Sequence, residues 1–243
     1  MSRERKTPIT QAKEIRYPWL LLDADGTLFD YERAEAAALA LAFADSGLPY
    51  GLRSLEVYNE LNQEMWLAFE RGEISAEVLR VERFRRLFGV LGIECDVEQF
   101  SKRYLARLGE RADLTGGAEE LLRGLYGQVG MVLITNGLQN VQRSRLAHST
   151  ISSYLTGVVI SEEVGAAKPD PRIFDAAFEQ MGRPARQEVL IVGDSLTSDI
   201  QGGNQYGVDT CWYNPRYLPH SAEIEAVYEI RTLSELRGII GLS

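Results

Sequence analysis

The spacing of apolar residues changes character twice along the chain. Trp19-Leu20-Leu21-Leu22 is an unbroken apolar run ending in Asp23-Ala24-Asp25-Gly26-Thr27. It lacks the alternation of a strand with one wet face and reads as a buried strand. From Glu32 to about Arg111 the period is helical. Residues 32–46 are alanine-rich and stop at Gly47 and Pro49. Within 52–71, Leu55, Tyr58, Leu61, Met65 and Phe69 recur at threes and fours. Residues 75–91 open on a Ser75 capping signal and end at Gly92, and 96–111 open on an Asp96 N-cap. Four helices with short connections predict a bundle of their own.

From Thr115 onward, strands and helices alternate. A helix at 117–126 precedes the apolar strand 131–134, which ends in Thr135-Asn136-Gly137. A helix to about Ser149, a strand at 157–160 and a loop at 161–170 follow. The loop carries Lys168-Pro169-Asp170-Pro171, with Asp170 placed as N-cap and Pro171 as first helical residue. The strand 189–192 ends in Gly193-Asp194-Ser195. A short helix, strands at 210–213 and 227–230, and a helix from about Ser234 complete the chain. This order predicts parallel βαβ units with right-handed crossovers. The expected fold is α/β: a doubly wound, Rossmann-like parallel sheet built from 17–31 and 112–243. A helical bundle at 32–111 is inserted after the first strand, with 29–33 and 110–116 as linkers.

Composition narrows the class. With 243 residues the chain can bury a substantial core, and 45% hydrophobic and 25% charged residues are ordinary for a soluble globular protein. A formal net charge of -9 argues against a nucleic-acid polymer or an anionic membrane as partner. It leaves small anionic substrates open, because a metal and a few lysines reverse the field inside a cleft. Cys95 and Cys211 form no ligand pattern, so a reducing cytoplasm is the expected setting. Residues 1–16 read as a polar extension without a signal-peptide core, and no run reaches the length of a membrane span. No association surface stands out, and a monomer is expected.

Three apolar strands thus end in reactive or phosphate-binding residue types: Asp23 and Asp25, Thr135 and Asn136, and Asp194. In an open parallel sheet, ligands bind outside the carboxyl ends of the strands. Residues more than a hundred positions apart would therefore converge, with Lys168 on the same rim. An Asp-x-Asp alone also fits a metal site of a sugar-nucleotide transferase or a simple helix cap; the convergence favours a catalytic pocket. Asp23, Asp25, Asp194 and Asp199 would put several carboxylates together, which calls for a hard cation such as Mg2+. Thr135, the backbone N–H groups of Asn136 and Gly137, and Lys168 are donors suited to phosphoryl oxygens. A carboxylate can attack phosphorus, and a second can protonate the leaving oxygen and then activate water.

These motifs resemble those of the haloacid dehalogenase (HAD) superfamily, in its phosphatase branch with a helical (C1-type) cap. Asp23-x-Asp25-Gly26-Thr27, Thr135-Asn136-Gly137, Lys168-Pro169 and Gly193-Asp194 with Asp199 occur in the family's order. The resemblance implies that Asp23 is the nucleophile and Asp25 the general acid/base, with Thr27 helping to orient it. It implies Mg2+ held by Asp23, the Asp25 carbonyl and Asp194, with Asp199 acting through water. Thr135 and Asn136 would grip the phosphoryl group, and Lys168 would neutralise charge on it and on the nucleophile. Dehalogenases of the superfamily lack an aspartate at the position of Asp25, so its presence points to phosphoryl transfer.

Longer stretches around 134–137, 160–175 and 192–203 resemble the nucleoside 5′-monophosphate phosphatases of the YjjG/YfnB type, as do Asn62, Trp66 and Arg83-Phe84 in the cap. The resemblance implies a 5′-nucleotidase. Alternatives are a phosphatase for phosphoglycolate or a sugar phosphate, a phosphomutase, or a phosphate-responsive binding module without turnover. Trp66 fits either a stacking role on substrate or a place in the cap core. Arg83 fits either a cleft cation or one member of a solvated basic face with Arg80, Arg85 and Arg86. Glu162 and Glu163 fit the pocket border or plain loop charges.

Overall fold

The computed structural model describes residues 15–242. The polar extension at 1–16 therefore lies, except for its last two residues, outside the described residues. Arg16 already belongs to the folded unit, since its N–H donates to the Ile240 carbonyl at 3.1 Å.

The first strand, β1 (Trp19–Leu22), leads into four helices: α1 (Tyr31–Asp45), α2 (Leu52–Glu70), α3 (Ala76–Leu91) and α4 (Val97–Gly109). The remainder is α5 (Ala118–Leu125), β2 (Gly130–Thr135), α6 (Gln139–His148), β3 (Gly157–Ile160), α7 (Ser161–Val164), α8 (Pro171–Gln180), β4 (Val189–Gly193), α9 (Gln201–Tyr206), β5 (Asp209–Tyr213), β6 (Tyr228–Ile230) and α10 (Leu236–Ile239). Two segments read only as loop or short helix differ from expectation. Residues 161–170 open with α7, and residues Leu196–Ile200 form one π-helical turn ahead of α9. Neither is long enough for hydrophobic periodicity to register.

All six strands run parallel in the order β3-β2-β1-β4-β5-β6. The strand order reverses direction at β1, which makes the crevice beside it the natural ligand site. Alternation along each strand divides the sheet's two faces. Leu20, Leu22, Met131, Leu133, Leu190 and Val192 pack with α5 and α10. Leu21, Val132, Ile134, Val189 and Ile191 pack with Ile173, Phe174 and Tyr206. Both faces are covered, which explains why these strands read as continuous apolar runs.

The inserted helices have a separate apolar cluster. Ala38, Phe43, Tyr58, Phe84, Phe88, Phe100 and Tyr104 form its centre, with Leu138 and Val141 of α6 joining from the sheet side. Two helix starts follow the cap signals, Ser75 and Asp96 each accepting from a backbone N–H in the first turn, and Asp30 caps α1 in the same way. None of the described helices is long and apolar enough to cross a membrane.

Candidate active site

Strand register decides which side chains meet. Leu22 is level with Leu133 on one neighbour and Val192 on the other. Asp23, Thr135 and Asp194 therefore leave the sheet within one residue of the same height. The Asp23 N–H donates to the Val192 carbonyl at 3.0 Å, which prolongs the pairing by one residue beyond β1.

Lys168 is the hub. Its ammonium, 1% exposed, donates to Asp23 Oδ1 at 2.6 Å, to Asp199 Oδ1 at 2.6 Å and to the Ile134 carbonyl at 2.9 Å. Three donors meet three acceptors, so Lys168 is fully committed to Asp23, to Asp199 and to β2. The Asn136 side chain fixes the lysine's backbone, accepting from Lys168 N at 2.7 Å and donating to Lys168 O at 2.9 Å. The second oxygen of Asp199 accepts from Ser195 N at 3.1 Å, a contact made by the π-helical turn folding back on itself. Thr135 Oγ1 accepts from Gly137 N at 3.0 Å.

Electrostatics sets these groups apart from ordinary carboxylates. Burial pushes the Asp23 carboxyl up to about 7, against the opposing pull of the Lys168 cation. Burial also raises Asp194 well above the usual carboxylate range, and the neighbouring Asp23 charge adds to it. Burial alone would lower Lys168, but the carboxylates of Asp199 and Asp23 outweigh it and hold the ammonium charged.

The residues fit a hard cation. Asp23, Asp194 and Asp199 each offer a carboxylate oxygen, all within 4.8 Å of one another. Asp23 Oδ2 is buried with no hydrogen-bond partner, and one lysine cannot balance three carboxylates. Gly26, at φ +89°, makes the space: a Cβ there would run into the Asp194 carboxylate. Asp199 spends both oxygens on Lys168 and Ser195, whereas Asp23 Oδ2 remains free.

A cavity of about 210 Å³ joins Asp23, Asp25, Thr135, Asn136, Gly137, Lys168, Asp194 and Asp199 to three residues of the inserted helices: Tyr31, Trp66 and Glu70. Trp66 thus lines the pocket, in edge contact with Phe69. Glu70, one helical turn further along α2, was not anticipated. It accepts from Thr197 Oγ1 at 3.1 Å, and burial raises its carboxyl above the ordinary range. The i, i+4 spacing from Trp66 was the available signal.

Both readings of Arg83 miss its place. It is 1% exposed inside the helical bundle, donating to Asn62 Oδ1 at 2.8 Å, with its guanidinium over the Phe84 and Tyr104 rings. Asn62 in turn donates to Glu35, which also accepts from Tyr31, Tyr58 and Tyr104. Arg80 instead reaches the sheet side and grips Glu162 at 2.6 Å, while Glu163 pairs with Arg143. The Thr27 hydroxyl, expected to help orient Asp25, makes no hydrogen bond to it and is buried without a partner. Gln142 and Arg145 of α6 hold Asp25 instead, one on each carboxylate oxygen.

A family model for haloacid dehalogenase-like hydrolases matches residues 17–207, the span that holds Asp23, Thr135, Lys168 and Asp194. The chain belongs to this family. YfnB of Bacillus subtilis, a HAD-hydrolase by its name, is 37% identical over 227 residues, spanning 93% of this chain and 97% of its own. The pyrimidine 5′-nucleotidase PynA of Streptococcus pneumoniae is 34% identical, spanning 90% and 93%. The pyrimidine 5′-nucleotidase YjjG of Escherichia coli is 32% identical, spanning 93% and 99%. A crystal structure of YfnB, described as bound to magnesium and as revealing interdomain movement, superposes with a TM-score of 0.89 over 93% of this chain and all of that one. This HAD hydrolase thus shares family and fold with phosphatases of small metabolites.

Proposed function

We propose that the chain is a magnesium-dependent phosphomonoesterase that acts through an aspartyl-phosphate, with nucleoside 5′-monophosphates as substrates and pyrimidine nucleotides foremost. The observation that carries the chemistry is the buried Asp23–Lys168–Asp199 arrangement with a second, separately held carboxylate at Asp25. Two carboxylates held by different partners can divide nucleophile from acid/base.

One carboxylate oxygen of Asp23 attacks phosphorus while the ester P–O bond breaks, leaving the other for the cation. Asp25 gives its proton to the departing alkoxide. It then takes a proton from water as the water oxygen attacks phosphorus, and the Asp23–phosphorus bond breaks to release inorganic phosphate. Lys168 holds Asp23 in place and balances its charge, and Thr135 with the Asn136 and Gly137 amides receives the phosphoryl oxygens. Asp23 and Asp194 would hold the cation, with Asp199 orienting Lys168 beside them. When bound, the cation supplies charge neutralisation for the phosphoryl oxygens.

Residues 32–111 act in this reading as a cap that brings Trp66 and Glu70 over the phosphate site. Trp66 offers a face on which a base or sugar can stack. The shared names of PynA and YjjG support nucleotide substrates. A panel of nucleoside 5′-monophosphates, sugar phosphates and phosphoglycolate, assayed for phosphate release with Mg2+, tests this. The expected result is the highest kcat/KM on a pyrimidine 5′-monophosphate. A higher value on phosphoglycolate or a sugar phosphate would overturn the substrate reading and leave the chemistry standing.

A further inference from the structure

We propose that Gln142 and Arg145 are positioning residues for proton transfer, forming the seat that aims the Asp25 carboxyl at the leaving group. This rests on the reading of Asp25 as the general acid/base. The two residues lie three apart on α6, so both face the end of β1. Gln142 Nε2 donates to Asp25 Oδ2 and Arg145 Nη1 to Asp25 Oδ1. Both are buried, at 1% and 0% exposure, and neither depends on solvent for its orientation.

The seat has anchors of its own. Arg145 Nε donates to the Arg111 carbonyl at 2.9 Å, and the guanidinium lies 4.3 Å from the Phe29 ring centre. Phe29 and Arg111 belong to the two linkers between the helical bundle and the sheet. Gln142 is anchored a second time by Thr135 Oγ1 at 3.3 Å. Its amide occupies the space a side chain at Gly137 would need: a Cβ there would collide with it. The glycine that follows Asn136 therefore admits the Gln142 amide to the Asp25 carboxylate. No other described side chain hydrogen-bonds Asp25. A carboxyl anchored at both oxygens has its rotamer fixed, which is what an aimed proton donor requires.

A seat for the general acid has a kinetic signature that a merely structural pair lacks. Cleavage of an alkyl phosphate needs the leaving oxygen protonated; cleavage of p-nitrophenyl phosphate does not, because its leaving group is a good one. The parameter kcat/KM reports steps up to departure of that group. Arg145→Met and, as a second variant that spares the buried cation, Gln142→Met are to be assayed on uridine 5′-monophosphate, glycerol phosphate and p-nitrophenyl phosphate. Urea denaturation monitors folding. The expected result is a loss of about 100-fold in kcat/KM on both alkyl esters, with a loss of about threefold or less on the aryl ester. In the same variants, a burst of nitrophenol should precede a slowed steady state, since Asp25 must still activate water. Equal losses on all three substrates, or none, would overturn the inference. Asp25→Asn separates the two claims. If it shows the alkyl-selective loss and the α6 variants do not, the seat fails alone; if it shows no selectivity, the assignment of Asp25 as acid fails.

Discussion

Replacing Lys168 with methionine removes the one cation from the centre of the site while keeping a chain of similar volume. Three hydrogen bonds disappear, at 2.6, 2.6 and 2.9 Å. Asp199 keeps its bond from Ser195 N, but Asp23 loses the only bond to either of its oxygens. Removing one partner of a buried ion pair costs about 3–5 kcal/mol, because the remaining charge is left without compensation. Here one ammonium serves two carboxylates, so about 5 kcal/mol is expected in the chelated protein. That is a large part of a typical folding free energy of about 5–15 kcal/mol. Added Mg2+ should restore more stability to the variant than to the parent, since the extra negative charge tightens cation binding; at 100 times Kd the gain is about 2.7 kcal/mol from binding alone. The assay is urea unfolding in EDTA and in saturating Mg2+, with turnover measured beside it. Turnover should fall by at least about 100-fold even with Mg2+. A chelated variant within about 1 kcal/mol of the parent would show that Lys168 does not balance these carboxylates, and the reasoning would fail.

Other consequences follow from the buried polar groups. In the helical bundle, Glu35→Leu and Arg83→Met should each destabilise by about 3–5 kcal/mol, with the double variant costing less than the sum; a double-mutant cycle in urea measures the difference. Burial raises the Glu35 carboxyl, and a folded-state value above the unfolded one gives a contribution that is complete below about pH 4 and lost as pH rises through the folded value. Glu35→Gln should therefore flatten the fall in stability as pH rises above about 4, a change read from urea midpoints. Gly26→Ala should abolish Mg2+-dependent turnover and weaken Mg2+ binding by calorimetry, because the new Cβ at φ +89° meets the Asp194 carboxylate.

The sheet and most of the site were legible because both depend on short-range patterns. An apolar run of four to six residues, cut off by Asp or Thr, marks a buried parallel strand and its functional end. Three such ends, at Asp23, Thr135 and Asp194, become neighbours once the strands pair in register. The partners of those residues were less legible. Arg83 looked like one of a basic series with Arg80, Arg85 and Arg86, but their fates diverge. Arg83 turns inward toward Asn62, and Arg80 crosses to Glu162. Pairings of this kind join different helices, and no single helix carries their pattern. Gln142 and Arg145 were hidden for the same reason, since their partner Asp25 lies more than a hundred residues earlier. Thr27 looked like a neighbour able to orient Asp25; folding buries its hydroxyl without a hydrogen-bond partner.

The aspartyl-phosphate on Asp23 is the centre of the proposal, and it can be sought directly. The enzyme, mixed with Mg2+ and uridine 5′-monophosphate, is quenched in acid within the first turnover, digested, and mapped by mass spectrometry. The account predicts a phosphoryl adduct on the peptide containing Asp23, forming before steady state and longer-lived in Asp25→Asn, whose second step lacks its base. Turnover without any adduct at Asp23, together with inversion of configuration at a chiral phosphorus, would mean that water attacks the substrate directly and would contradict it.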